Sequence, residues 1–186
     1  PEDDTVLAEK DAAVISAGDC VICVTASGST PYSLTIVNIA GSRGAKIIGI
    51  ANNADAPLFD MADVAVLLAT PAEVVAGSTR MGAGTAQKIA FNMLSTLTAI
   101  KLGHVHDGHM VDVRADNEKL RIRATRIVSE IAGIDMDAAV ERMQSADGSV
   151  KIAVLLAAGA HNAEVAQAAL ARSGQVLRQA LAEFEK

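Results

Sequence analysis

Apolar and polar positions are arranged along this chain in two distinct ways. Three short runs, residues 20–25, 46–50 and 64–68, are apolar, strand-length and nearly free of charge, and they read as strands of a buried parallel sheet. Around them lie stretches with apolar positions at helical spacing. Residues 3–17 carry Val6, Leu7, Val14 and Ile15 among charges and end at Gly18, which predicts an amphipathic helix with a glycine stop. A helix from residue 30 to about 42, closed by Gly41 and Gly44, links the first two strands, and a long helix entered through residues 73–88 runs to about Leu102. Strands separated by one helix or a short crossover make a parallel, doubly wound sheet.

From Asn117 only short helices follow: 118–132, 137–145, 150–158, 163–172 and 175–185. Asp135, Ser149 and Asn162 stand where N-caps belong, and Gly133, Gly159 and Gly174 where helices stop. The expected fold is therefore α/β: a partial three-layer parallel sheet over residues 1–113, then a small all-α C-terminal domain over 114–186. The first strand is apolar on both faces, yet nothing before residue 20 supplies a strand to lie beside it. An open apolar edge of this kind invites association. The expectation is that a strand-bearing N-terminal portion is missing or comes from another chain, and that the protein is not a stable monomer.

Composition narrows the function classes. The chain has 186 residues, 51% of them apolar, but only one Tyr, three Phe and no Trp, so its core is built from Ala, Val, Ile and Leu. Net charge is −6 with no basic cluster, which argues against a nucleic-acid surface. No apolar stretch reaches membrane-span length and no signal peptide is seen, so a cytoplasmic protein is expected. Cys20 and Cys23 form a CxxC, but odd spacing on a strand puts them on opposite faces, which excludes a disulfide between them. Both read as small core residues. His104, His106 and His109 beside Asp107 could ligate a metal, but in a Gly-flanked loop they read as solvated. No metal and no cofactor are expected.

The chemistry concentrates where the strands end. The first strand delivers the chain into Thr25-Ala26-Ser27-Gly28-Ser29-Thr30, and Pro31 then suits the first turn of a helix. Backbone N–H groups, the positive end of the helix dipole and three hydroxyls can converge there on one anion. The loop has no Lys and lacks P-loop spacing, so a sugar phosphate fits better than a nucleotide. A second Gly/Ser/Thr loop, Gly77-Ser78-Thr79, opens the long helix on the same sheet edge, where open α/β sheets bind ligands.

The segments TASGSTPY (25–32), EVVAGSTRMGAGTAQK (73–88), FNMLST (91–96) and MVDVRADNEKL (110–120) together resemble the N-acetylmuramic acid 6-phosphate etherases. These are members of the sugar isomerase (SIS) domain superfamily, which includes the glucokinase regulatory protein. The resemblance runs from Glu2 nearly to the end of the chain. It implies a flavodoxin-like five-stranded parallel sheet, a helical C-terminal domain and a homodimer. It also implies a reaction: removal of D-lactate from the C3 ether of N-acetylmuramic acid 6-phosphate, giving N-acetylglucosamine 6-phosphate in cell-wall recycling. On the same resemblance Ser27, Ser29 and Thr30, with Gly28 between them, fall at phosphate-binding positions, and Glu2 where a catalytic glutamate would take the C2 proton. Glu73, Ser78, Thr79 and Lys119 lie in signatures that border the hexosamine 6-phosphate.

Three departures stand out. The family's glycine-rich first loop and acid-catalyst glutamate have no counterpart in these residues. Ser29 stands where most members have Arg, and Gly82 where most have Lys. The chain is thus expected to hold part of an active site and to be inactive alone. Two other readings remain: a non-catalytic sugar-phosphate sensor of the glucokinase-regulator type, and a sugar-phosphate isomerase.

Overall fold

The computed structural model describes residues 1–113 and 115–184. Arg114, in the MVDVRADNEKL block and at the start of the expected helical domain, and Glu185, the end of the expected last helix, lie outside the described residues. The chain forms two compact units, Pro1–Met93 and Leu94–Lys186.

In the first unit, helix α1 (Thr5–Asp11) is capped by Asp4, whose carboxylate accepts from Leu7 N at 2.9 Å, and it runs on into a 3-10 turn, Ala12–Val14. Strand β1 (Cys20–Val24), helix α2 (Pro31–Ser42), strand β2 (Lys46–Ala51), the single-turn helix α3 (Pro57–Asp60) and strand β3 (Val64–Leu67) follow. The strands pair in the order β1-β2-β3, all parallel, with Cys23 opposite Gly49 and Gly49 opposite Ala65. Val37, Ala40, Ile47 and Leu58 pack beneath the sheet as its buried core. Gly49 lets α3 approach: a Cβ there would stand 2.9 Å from Leu58 Cγ and 3.1 Å from Ala62 Cβ.

The expected burial fails for both outer strands: Val64 and Leu67 of β3 are 51% and 46% exposed, and β1 departs in the same way. The apolar run 20–25 predicts a strand buried on both faces, but β1 lies at the sheet edge, with Cys20 exposed and Ile22 41% exposed. Burial depends on how many strands flank a strand, and β1 has one partner among the described residues. Cys23 is buried while Cys20 is not, so the two do face opposite sides.

Helix α4 (Gly82–Lys101) leaves the first unit with Ile89, Phe91, Met93, Leu97 and Ile100 exposed. In the second unit a small hairpin follows, β4 (Val105–His106) and β5 (His109–Met110), turning on Asp107 (φ 46°) and Gly108 (φ 82°). Positive φ at both central residues is the Asp-Gly hairpin turn. The histidine segment is therefore an ordered hairpin rather than a solvated loop, and His106 is buried.

Helices α5 (Glu118–Ala132), α6 (Met136–Ser145), α7 (Val150–Ala157), α8 (Ala163–Arg172) and α9 (Leu177–Leu181) then pack around Val128, Val154, Leu155, Leu170 and Leu177. Three of them are capped where the sequence predicts: Asp135, Ser149 and Asn162 accept from Ala138, Ile152 and Val165 N–H. Asn117 caps α5 in the same way, accepting from Leu120 N–H. Lys151 is buried on α7 and donates to the Gln175 carbonyl at 3.1 Å, with Asp112 Oδ1 3.5 Å away. Among the described residues no helix is long and apolar enough to cross a membrane.

Candidate functional site

The loop between β1 and α2 takes its shape from three local features. Gly28 has φ 72°, and a Cβ on it would fall 2.2 Å from Ala56 Cβ, so only glycine fits between the loop and the start of α3. Its carbonyl accepts from Leu58 N at 3.1 Å, which fastens the loop to that turn. Ser27 Oγ accepts from Ser29 N (3.2 Å) and from Ser29 Oγ (3.1 Å), drawing the two exposed serines together.

Thr30 is the N-cap of α2, but its hydroxyl pairs with Thr25 Oγ1 at 2.8 Å rather than with a helix N–H. The usual N-cap bond is thus not made. Among the described residues, no side chain caps the first turn of this twelve-residue helix, and the N–H groups of Gly28 and Thr30 take no backbone partner. A helix N-terminus left open in this way, beside two exposed hydroxyls, has the form of an anion cradle.

The neighbouring strand ends brace the loop. Asn52 N donates to Ala26 O (3.0 Å), Asn52 Nδ2 to Leu68 O (2.9 Å), and Gln87 Nε2 to Asn52 Oδ1 (2.8 Å). One asparagine after β2 therefore joins the turns after β1 and β3 to helix α4. Glu73 is spent on the same helix: its Oε1 accepts from Gly82 N (2.8 Å) and Ala83 N (3.3 Å), placing a carboxylate at the positive end of α4. Gly82 has room for that contact, since a Cβ there would lie 3.5 Å from the Glu73 oxygen. Ser78 is half-buried and Thr79 exposed in the turn between, with Ser78 N donating to Val75 O and Gly84 N to Thr79 O.

Glu2 is exposed, and its carbonyl accepts from Tyr32 N at 3.0 Å, which ties it to the start of α2. Lys119 is exposed in the first turn of α5, within the helical unit. The structure thus gathers Ser27, Gly28, Ser29 and Thr30 into one loop with the Glu2 backbone beside it. Glu73 is separately engaged with α4.

A family description, the SIS domain, matches residues 2–100. The chain belongs to the SIS domain family.

Among curated relatives, this SIS chain is 43% identical to the N-acetylmuramic acid 6-phosphate etherase of Deinococcus radiodurans over 186 residues, 99% of this chain and 61% of that protein. It is 46% identical to the one of Streptomyces avermitilis over 184 residues, 97% of this chain and 59% of the relative. The chain thus spans about three-fifths of the length of these relatives. Among solved structures, the Vibrio vulnificus NanR protein complexed with ManNAc-6P superposes with a TM-score of 0.40 at 23% identity, over 53% of this chain and 44% of that one. So partial an overlap carries no argument.

Electrostatics separate the SIS loop from the other polar clusters. Burial pushes the Cys23 thiol up, against a smaller opposing effect of its hydrogen bond with Ser33, so it is no nucleophile. In the helical unit a cavity of about 420 Å³ is lined by His106, Asp107, His109, Glu130 and Arg178, among others. Burial holds His106 below the ordinary histidine range, Asp107 opposes this, and Arg178 and His109 add to it. His109 lies 3.6 Å from Glu130, and Arg178 pairs with Asp107. Among the described residues no three His, Cys, Asp or Glu side chains are grouped to hold a metal.

Thr25 and Gln87 are the site residues that sequence reasoning left without a role. Both stand inside the quoted motifs. Gln87 acts through Asn52, 35 positions away, and no local pattern displays such a pair.

Proposed function

We propose that this chain is the C-terminal part of a carbon–oxygen lyase that cleaves the lactyl ether of N-acetylmuramic acid 6-phosphate, with residues 27–30 as its phosphate anchor. The loop geometry carries the reading: an uncapped helix start, two exposed serine hydroxyls, and a glycine packed on Ala56 with its carbonyl tied to Leu58 N–H. Hydrogen bonds from neutral groups to a phosphate dianion, aided by the helix dipole, need no lysine.

In the proposed reaction Glu2 takes the C2 proton and the C3–oxygen bond breaks. A second carboxyl group protonates the departing lactate oxygen, and water adds across the resulting C2–C3 double bond, hydroxyl to C3 and proton to C2, to give N-acetylglucosamine 6-phosphate and D-lactate. No residue of this chain matches the family position of that second group. These 186 residues alone are expected to bind the sugar phosphate without releasing lactate, since general acid assistance is worth about 10²–10⁴ in rate. Glu73 acts by setting the start of α4, and Ser78 and Thr79 border the sugar; Lys119 lies in the helical domain, read as beginning near residue 114. The working protein is cytoplasmic and a homodimer, a state that would cover the apolar side chains exposed on β1 and α4.

Calorimetry tests the anchor. Ser27→Ala and Thr30→Ala should each weaken binding of N-acetylglucosamine 6-phosphate by roughly 10- to 150-fold, because a hydrogen bond to a charged group is worth about 1.5–3 kcal/mol. Binding of unphosphorylated N-acetylglucosamine should not change. Equal losses for the two ligands would overturn the assignment.

A further inference from the structure

Tyr32 grips the segment before α1 and the end of α1 at once. Its N–H donates to the Glu2 carbonyl at 3.0 Å, and its phenol donates to Asp11 Oδ2 at 2.8 Å. At the far end of α2, the Arg43 guanidinium reaches the carbonyls of Ala12, Ala13 and Ile15 at 2.6, 3.1 and 3.0 Å. Helix α1 is therefore stapled along α2 from both ends. The other backbone bonds of the opening segment are local, Asp4 N to Pro1 O and Thr5 N to Asp3 O, so they cannot place it on the domain.

Tyr32 is also the second residue of α2, and its N–H is one of the donors that a helix start leaves without an intrahelical acceptor. That donor goes to Glu2 while its neighbours at the same helix start stay open. The backbone of the acidic opening segment is thus tied to Tyr32, two residues past the loop read above as a phosphate anchor.

We propose that Tyr32, held by Asp11, is a positioning residue that locks Glu2 and Asp3 to the phosphate loop, so that an anion bound at residues 27–30 is felt by the acidic opening segment. This rests on the phosphate reading of that loop. Removing the phenol oxygen unclamps the last residue of α1 from the start of α2, so that only the Tyr32 N–H bond to Glu2 and the Arg43 contacts beyond Asp11 still fasten α1 and the segment before it.

The test is a nuclear magnetic resonance titration of the ¹⁵N-labelled chain with N-acetylglucosamine 6-phosphate. In the wild type the amides of Ser29, Glu2 and Asp3 should move together with one dissociation constant. In Tyr32→Phe the Ser29 amide should keep its dissociation constant within about twofold, while the movement of Glu2 and Asp3 falls by more than half. Asp11→Ala should reproduce that loss without touching the tyrosine, and it keeps the test open if Tyr32→Phe folds poorly. Asp11→Asn, which retains an acceptor for the phenol, should restore the movement.

Movement of Ser29 with Glu2 and Asp3 silent in the wild type would overturn the clasp alone. So would equal movement in all variants, or Asp11→Asn behaving like Asp11→Ala. A silent Ser29 in the wild type would remove the phosphate reading itself and the clasp with it.

Discussion

Replacing Gly28 by alanine tests the loop at its tightest point. Two costs add there. An alanine at φ 72° carries left-handed strain of about 1–2 kcal/mol, offset by about 0.4–1 kcal/mol from the lower entropy of its unfolded chain. The new methyl would also stand 2.2 Å from Ala56 Cβ, 3.1 Å from Ala56 Cα and 3.2 Å from Ala51 Cβ, and overpacking of this kind costs about 1–3 kcal/mol more. Gly18 supplies the control: its φ is 91° and nothing lies within 4 Å of its missing Cβ, so Gly18→Ala has the backbone cost alone. The two variants should therefore differ by about 1–3 kcal/mol, with Gly28→Ala the less stable. Tyr32 is the single tyrosine of a chain without tryptophan, so its emission during urea unfolding follows the first unit specifically. Ala56→Gly combined with Gly28→Ala removes the shortest overlap and should recover half or more of the difference. Equal stabilities for Gly18→Ala and Gly28→Ala would show that the loop moves freely away from Ala56, and the rigid cradle would fall with that result.

Three further outcomes are expected. His106 has a folded-state pKa pushed down by burial, so its contribution is present above the unfolded histidine value of about 6.5 and is lost as pH falls through the folded value; His106→Gln should flatten the decline of the urea midpoint between pH 7 and pH 5, and an unchanged slope would refute the assignment. Iodoacetamide at pH 8 should label exposed Cys20 and spare buried Cys23 in the folded chain, and both in urea, as read by peptide mass. Glu73→Ala should cost about 0.5–2 kcal/mol, the range for a lost helix cap, while Glu73→Gln keeps an acceptor for Gly82 N and loses less; denaturation curves that place the two variants together would contradict the capping role.

Much of the fold was legible because its causes are local. Each of the three strands shows as a short apolar run, but among the described residues only β2 lies between two neighbours and is buried as such a run predicts. The N-caps Asp135, Ser149 and Asn162 were readable because a cap and the N–H it accepts from lie three residues apart. The strand–loop–helix of residues 20–42 was readable for the same reason, and Pro31 and Gly28 mark its turn. The Asp107-Gly108 turn was equally local but was masked by the histidines around it, which drew attention to solvation and metal chemistry instead of to hairpin geometry.

The sequence by itself determined the three strands of the parallel sheet, the helix between the first two, the caps of three C-terminal helices, and that the first loop offers hydroxyls at a helix N-terminus. Only the tertiary structure decided how those pieces are used. It left β1 half-exposed at a sheet edge, turned the Thr30 hydroxyl toward Thr25 and away from the helix, and gave the Glu73 carboxylate to Gly82 and Ala83. It likewise joined Asn52 to Gln87, tied Glu2 to Tyr32 and buried Lys151 against the Gln175 carbonyl. The division has one physical reason. Propensity, capping and periodicity act over three or four residues, whereas burial and hydrogen-bond partners depend on which distant segments the packed core brings within about 3 Å of each other.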